Sequence, residues 1–343
     1  MKPEDKHGDA ILRVCSYHRR DFDLVTIRSR PLVTKPVQNS LQAPFESSPV
    51  AGLGDLDYLP QELMTIVVKN LDILSYFRFR RVNRYARILA TAPREYQLVA
   101  KYGLETLNAL LCSGCARSPT IVDLYRLLTT NSCSLCGEFG GFLFLLTTTR
   151  CCFTCLQTEP KLCVISTTEF ARAAGISTAQ LSRSYGATLR TVSGSYWMEY
   201  CRHSLPHRWG KSRVWRPKKL ILKEEAIAAL APRTVFKEDS MSRLSKLYGL
   251  RHERFMASTT FSWYDVQTGK IERGVSCKGC QIRVEQSYGS LSDRDRLFSS
   301  TEFLFHFASY AEAQKLWEES EEGTILVEGS EFVRSCGYFG DMK

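Results

Sequence analysis

Residues 56–90 read LDYLPQELMTIVVKNLDILSYFRFRRVNRYARILA, and the spacing of apolar residues in this stretch decides how the chain folds there. Apolar side chains recur at steps of three and four residues, which is the pattern of helices with one buried face. Pro60 suits the first turn of a helix, because the N–H that proline lacks would have no partner at that position. The first apolar stripe consists of Leu63, Ile66, Val67, Leu71 and Leu74, and the second of Phe77, Val82, Tyr85 and Leu89.

This pair of helical stretches is short for an independent unit. A helical hairpin of about forty residues cannot bury all of its Leu, Ile, Val and Phe side chains by itself. We therefore expect an apolar surface that a partner covers. The alternative interpretation is an ordinary helical hairpin inside one continuous domain.

The same stretch resembles an F-box, whose pattern is a Leu-Pro-x-Glu start, aliphatic positions, a Leu-Asp step, a hydrophobic-Arg pair and an RVNR-like segment. Phe77 stands where leucine is usual and Tyr85 where tryptophan is common, and both keep a bulky apolar group. The resemblance predicts an F-box over residues 54–95. The matching positions are Leu59, Pro60, Glu62, Leu63, Ile66, Val67, Leu71, Asp72, Phe77, Arg78 and the segment 81–84.

The resemblance implies an adaptor function. An F-box docks a Skp-type subunit and, through it, a cullin-based ubiquitin ligase, so the rest of the chain would present an unknown client protein for ubiquitination. Such a subunit is not an enzyme, and the sequence has no GxxxxGK[S/T] loop and no GxSxG elbow. A second possibility is an F-box that tethers a Skp subunit to another process. The residues implied to bind the Skp subunit are Leu59, Pro60, Glu62, Leu63, Ile66, Val67, Leu71, Phe77, Arg78 and Val82.

Cysteine spacing predicts a metal site after the F-box. Eight of the 13 cysteines form CxxC pairs, and the pairs Cys133/Cys136 and Cys152/Cys155 are 15 residues apart. Two such turns supply the four thiolates of a tetrahedral Zn²⁺ site. A closed shell of four cysteines favours structural zinc, and neither HExxH nor HxE…PCxxC occurs. Cys151 is not assigned as a ligand, because using it in place of Cys152 would give the less usual CxxxC spacing. The alternative is a set of buried free thiols.

A late pair, Cys277/Cys280, predicts a possible second zinc site with His306. The F-box, the cysteine pairs and the segment around His306 together resemble a group of fungal F-box proteins with a cysteine-rich body. In that group a histidine followed four residues later by cysteine complements the late CxxC, whereas this chain has Tyr310 there. His306 could equally be an ordinary helix histidine.

Other residues could complete the second site. Cys112 and Cys115 could pair with the late CxxC, although small buried residues near a helix terminus are the simpler interpretation. The other candidate ligands are Cys201, His203 and Cys336.

The net charge of +10 is concentrated in one segment. Residues 161–256 contain 18 Lys and Arg against 7 Asp and Glu. Within it, residues 201–223 interleave Arg and Lys with Trp209 and Trp215, a mixture that can bind phosphates and stack on bases. The alternative function is therefore a zinc-dependent nucleic-acid-binding or regulatory protein. A solvated face with core tryptophans is the simpler interpretation, and we do not expect nucleic acid as a partner.

The predicted fold class is α+β and mainly helical, with an F-box helical module followed by a zinc-stapled mixed α/β body over residues 96–340. Residues 1–50 are proline-rich and predicted to be a mostly disordered lead-in. Residues 96–112 are predicted to be helical, residues 259–280 to form a hairpin or two strands, and residues 301–320 to form a helix in two parts.

The start of the chain lacks the apolar core of a secretory signal, and no apolar run reaches the about 18 residues of a membrane span. Paired cysteines in such a chain more often hold metal than form disulfides. We therefore expect a cytoplasmic or nuclear protein with no membrane partner.

Overall fold

The computed structural model describes residues 3–27, 39–42, 49, 51–186, 189–194, 218–231, 238–246, 251–286, 289–325 and 327–337. Across these ranges the fold is α+β and mainly helical with small antiparallel sheets, which confirms the predicted class. None of the described helices is long and apolar enough to cross a membrane. Trp209 and Trp215 of the basic segment lie outside the described residues, as do Cys201 and His203.

The stretch quoted first folds into a 3₁₀ turn and three helices. The second predicted helical stretch is interrupted, because Asn83 leaves helical geometry and its side chain accepts a hydrogen bond from the Ala86 N–H at 2.8 Å. Asp72 caps the preceding helix in the same way, accepting from the Ser75 N–H at 3.0 Å. The elements are the turn Gly54–Tyr58 and the helices α3 (Gln61–Lys69), α4 (Ile73–Arg80) and α5 (Arg84–Thr91).

These helices pack on the helices that follow them. The fully buried ring of Tyr76 stacks on that of Tyr96, with centroids 5.3 Å apart, and its hydroxyl donates to the Ala90 carbonyl. The predicted helix over 96–112 is two helices that meet at Gly103. The bounds are α6 (Arg94–Tyr102), α7 (Leu104–Ser113) and α8 (Ile121–Leu128), with a 3₁₀ turn at Cys115–Arg117.

The largest buried core surrounds a three-stranded antiparallel sheet of order β3-β2-β7. All three residues of its middle strand are buried, so both faces of this strand are covered. Met64 and Val68 of α3 belong to the same core, so the helices of residues 61–91 pack directly on the body. The elements are β2 (Phe142–Phe144), β3 (Thr149–Cys151), β7 (Ser258–Thr260), α9 (Phe153–Thr158), the 3₁₀ turn Pro160–Leu162 and α14 (Arg251–Met256).

A second sheet, of order β4-β6-β5, carries a separate cluster of buried aliphatic residues together with its own helices. Ser166 ends its first strand and caps the next helix by accepting from the Glu169 N–H at 3.2 Å. The elements are β4 (Val164–Ser166), β5 (Thr191–Gly194), β6 (Lys218–Leu222), α10 (Thr167–Ala174), α11 (Thr178–Tyr185), α12 (Lys223–Leu230) and α13 (Glu238–Ser245).

The expected disordered lead-in is wrong for residues 3–27. Ile11, Val14 and Cys15 are buried in a third core with Phe303 and Trp317, which lie far along the chain. Ser16 and Tyr17 pair antiparallel with Cys277 and Ser276. The sequence did not indicate this ordered structure, because the N-terminal helix has few apolar residues and is held by contacts with residues far along the chain. The elements are α1 (Pro3–Cys15), β1 (Ser16–Tyr17), α2 (Arg20–Val25) and β10 (Ser276–Cys277).

The C-terminal part completes that third core. The predicted hairpin is confirmed, since its two short strands pair antiparallel around a turn at Asp265–Lys270. The helix predicted in two parts is confirmed with a break at Tyr310. The elements are β8 (Trp263–Tyr264), β9 (Ile271–Glu272), α15 (Lys278–Glu285), α16 (Leu291–Arg294), α17 (Ser300–Ser309), α18 (Ala311–Glu319) and α19 (Glu331–Arg334).

Candidate metal centres and the apolar surface of residues 56–82

The first candidate centre brings four thiols together. The sulfur atoms of Cys133, Cys136, Cys152 and Cys155 all lie within 4.8 Å of one another. The Cys136 and Cys152 sulfurs are 3.6 Å apart. Two sulfurs on a tetrahedral zinc are about 3.8 Å apart when each Zn–S bond is about 2.3 Å. The group can therefore hold a metal ion, and four thiolates suit Zn²⁺.

Two different local structures present these thiols. Gly137 has a φ of +84°, which glycine adopts readily, and this turns the chain so that its N–H donates to the Cys133 carbonyl at 2.9 Å. Cys152 is the N-cap of α9, and its sulfur accepts from the Cys155 N–H at 3.3 Å. The Cys133 sulfur accepts from the Leu135 N–H at 3.4 Å. These N–H groups favour thiolates over thiols.

The pKa values of Cys133, Cys152 and Cys155 are shifted in different directions. The pKa of Cys133 is lowered, first because its sulfur accepts a hydrogen bond from Cys152, whose own pKa is raised by the same contact. Burial, followed by the contact with Cys136, raises the pKa of Cys155 to about 12. Neighbouring thiolates repel one another, so the four can be ionised together only beside a cation.

Cys151 stays outside the group. Its side chain is fully buried on β3, and burial holds the pKa of its thiol well above the usual range. Cys151 pairs with Phe142 across the sheet. Its neighbour Cys152 belongs to the four-sulfur group instead.

Arg150 is a buried residue beside this centre that sequence reasoning missed. Its guanidinium donates to the carbonyls of Leu127 at 2.9 Å, Ser262 at 3.1 Å and Phe261 at 3.3 Å. Burial lowers the pKa of Arg150 to about 9, against which the sulfurs of Cys151 and Cys133 act in the opposite direction. A cation next to the four thiolates offsets part of their charge. The only hint in the sequence was an arginine directly before a Cys-Cys pair.

The second candidate centre has three donors. The ligand atoms of Cys277, Cys280 and His306 lie within 4.8 Å of one another. Cys277 is the N-cap of α15, and its sulfur accepts from the Cys280 N–H at 3.5 Å. His306 lies on α17 with its ring stacked on that of Phe298 at 4.6 Å. This group can also hold a metal ion.

Among the other suggested ligands, the three that the structure describes do not join the second centre. The alternative in which Cys112 and Cys115 pair with the late CxxC is wrong, because Cys112 lies exposed beside Asn108 and Cys115 lies against the Thr191 carbonyl. Cys112 lies in the last turn of α7 and Cys115 begins the 3₁₀ turn that follows it. Cys336 is also absent from the group.

Residues 56–82 expose an unusual amount of apolar side chain. Among the described residues, seven of the twelve exposed large hydrophobic side chains belong to this short segment. Such a concentration marks an interaction site rather than ordinary surface. We name these seven the 56–82 apolar surface: Leu56, Tyr58, Leu59, Leu63, Ile66, Val67 and Val82.

The remaining residues implied by the F-box resemblance divide into two sets. Pro60, Glu62 and Arg78 are exposed beside the 56–82 apolar surface. Leu71 and Phe77 are half-buried, because each packs against the main core. The burial of these two leaves less of their side chains for a partner.

Comparison with protein families identifies this part of the chain. Residues 56–98 match the F-box domain model, so the protein carries an F-box domain there. Proteins with this domain are typically adaptors rather than enzymes, and the domain in general supports a ubiquitin-ligase adaptor role with a Skp-type partner. Neither the curated proteins nor the solved structures give a significant match to the chain.

Proposed function

We propose that this protein is a substrate adaptor of a cullin-based ubiquitin ligase. Its F-box domain docks a Skp-type subunit through the 56–82 apolar surface, and the body presents a client protein. The single observation that carries the proposal is the concentration of exposed apolar side chains on α3 and beside it, within the matched domain. Burying such side chains against a partner supplies about 1.5–3 kcal/mol for each one fully covered.

The first metal centre has a structural role in this proposal. Zn²⁺ on Cys133, Cys136, Cys152 and Cys155 would have no open position for a substrate or an activated water, which a catalytic zinc needs. The four cysteines flank β2 and β3, so the ion would tie the centre of the main core together. Thiolate-rich zinc sites persist in reducing compartments, and we place the protein in the cytoplasm or the nucleus.

Val67→Asp tests the docking. Val67 is 47% exposed and Val266, in the turn of the β8–β9 hairpin, is 48% exposed, so Val266→Asp is a matched control. The full-length variants and a Skp-type subunit are purified separately, and their affinity is measured by titration calorimetry. We expect Val67→Asp to weaken binding by about tenfold or more, because 1.4 kcal/mol corresponds to tenfold.

The control variant should bind like the wild type. Equal affinity of the Val67→Asp and Val266→Asp variants would rule out docking through this surface. Cullin that co-purifies with the wild type but not with Val67→Asp would place the adaptor in a ligase, whereas a Skp subunit without cullin would favour a tethering role.

A further inference from the structure

Residues 39–42 precede the F-box domain in the chain and lie against its helices. Leu41 is buried in the main core, whereas Ser40 next to it is exposed. We propose that Ser40 is a phosphorylation site, and that Arg80 and Arg87 bind the phosphate once it is attached. This inference depends neither on a Skp-type partner nor on a ubiquitin ligase.

Two arginines from neighbouring helices converge on Ser40. Arg80, at the end of α4, donates from Nη2 to the Ser40 carbonyl at 2.7 Å and to the Leu41 carbonyl at 3.2 Å. Arg87, on α5, donates from Nη2 to the same Ser40 carbonyl and, at 3.1 Å, to the Ser40 hydroxyl oxygen. The oxygen that a kinase would modify is therefore already in contact with one guanidinium, and the second guanidinium binds the backbone of the same residue.

The positive charge of Arg80 is only partly compensated. This residue is 6% exposed, and no carboxylate among the described residues forms an ion pair with it. Its guanidinium faces the ring of Tyr96 at 5.6 Å, and its Nε has no hydrogen-bond partner among the described residues. Burial lowers the pKa of Arg80, and the charge of Arg87 acts in the same direction. A dianionic group beside both guanidiniums would offset their mutual repulsion.

The neighbouring contacts hold Ser40 in place for such a group. The Tyr96 hydroxyl donates to the Leu41 carbonyl at 2.9 Å, and the Gln42 amide donates to the Ala100 carbonyl at 3.5 Å. These contacts and the burial of Leu41 fix the chain directly after Ser40. Because Ser40 itself is exposed, a phosphate on its oxygen would have room on the solvent side.

The modification is a phosphoryl transfer from ATP by a serine/threonine kinase. A bond forms between the Ser40 oxygen and the γ-phosphorus, the bond from that phosphorus to the β–γ bridging oxygen breaks, ADP leaves, and the hydroxyl proton passes to a base of the kinase. The product carries a charge of about −1.5 to −2 and three acceptor oxygens. Guanidiniums bind such oxygens in charge-assisted hydrogen bonds, so the phosphate would fasten this segment to α4 and α5.

The full-length chain with phosphoserine incorporated at position 40 tests the phosphate site. A ³¹P NMR titration measures the second pKa of the phosphate, which is about 6 in an ordinary phosphoserine. Two adjacent guanidiniums favour the dianion, so we expect this pKa to be lower by about one pH unit in the folded chain. The same chain unfolded in urea supplies the reference value.

Arg87→Gln removes one of the two charges and should restore most of the ordinary phosphate pKa. Arg81→Gln is the matched control, because Arg81 is an exposed arginine at the end of α4, next to Arg80 in the chain, and it should leave the phosphate pKa as in the wild type. An identical phosphate pKa in the folded and unfolded chains would overturn the phosphate site, and so would an equal effect of the two substitutions.

The modification itself is tested on the protein isolated from its own cells with phosphatases inhibited. Mass spectrometry of its peptides should find phosphate on Ser40. A chain that carries no phosphate at this residue would overturn its assignment as a modification site.

Discussion

At the scale of single residues, the buried cation Arg150 connects the sheet to the first metal centre. Its three carbonyl acceptors come from α8 and from the loop after β7, so one side chain joins parts of the chain more than 100 residues apart. A positive charge can be buried at this point because carbonyl oxygens accept hydrogen bonds from its two terminal nitrogens and sulfur atoms lie nearby.

Replacing Arg150 should therefore destabilise the protein. Arg150→Met keeps the length of the side chain but leaves the Phe261 and Ser262 carbonyls without this donor, and we expect a loss of about 3 kcal/mol in the free energy of unfolding. Arg126→Met is the control, because Arg126 is 74% exposed, and it should change stability by less than about 0.5 kcal/mol. Denaturant titration measures both. Equal stability of the two variants would contradict this account.

At the scale of elements, helix caps divide the F-box domain into its helices. Asn83 ends the preceding turn, caps α5 and also donates from its amide to the Gly52 carbonyl at 2.8 Å. Its position next to Val82 fixes where that exposed side chain of the 56–82 apolar surface lies. Cap residues thus set the shape of this surface as well as the helix lengths.

Asn83→Ala should lower the free energy of unfolding by about 1 kcal/mol, because α5 loses its N-cap. Asn83→Asp retains a capping oxygen and should lose clearly less, although it gives up the amide donor to Gly52. Thermal and denaturant unfolding of both variants check this. A cap role for Asn83 is excluded if aspartate and alanine cost the same.

Some of these elements could be predicted from the sequence and others could not. The late hairpin, the two-part helix and the helices of the F-box domain follow from local periodicity. The four-cysteine group follows from local spacing, whereas His306 joins Cys277 and Cys280 only through the family resemblance. The break between α4 and α5 could not be predicted, because the apolar pattern runs on through Asn83 and only the cap formed by its side chain ends the helical geometry there. The order of residues 3–27 and the burial of Arg150 depend on long-range contacts, which local patterns do not record.

At the scale of the whole molecule, the first candidate metal centre and the F-box domain share one buried core. Cys133 and Cys152 belong to the same core as Met64 and Val68 of α3. Loosening the first centre should therefore disturb the support of the 56–82 apolar surface, although no ligand belongs to that surface.

Removal of metal should consequently weaken adaptor binding. We expect a strong chelator to broaden or abolish the cooperative unfolding transition and to reduce binding of a Skp-type subunit, with recovery when Zn²⁺ is added back. Cys152→Ala should behave like the chelated protein. Cys151→Ala, which removes the adjacent buried thiol outside the group, should retain its metal and its binding. A chelated protein that unfolds and binds like the untreated one would refute this link.

The contact between Cys15 and the Ala313 carbonyl has a consequence for synthesis. These residues are 298 positions apart, so α1 leaves the ribosome long before its packing partners exist. At about 5–20 residues per second, this helix waits roughly 15–60 s for them. During that time its apolar face and the Cys15 thiol are open to chaperones and oxidants, which makes the nascent chain, rather than the finished protein, the vulnerable form of this N-terminal segment.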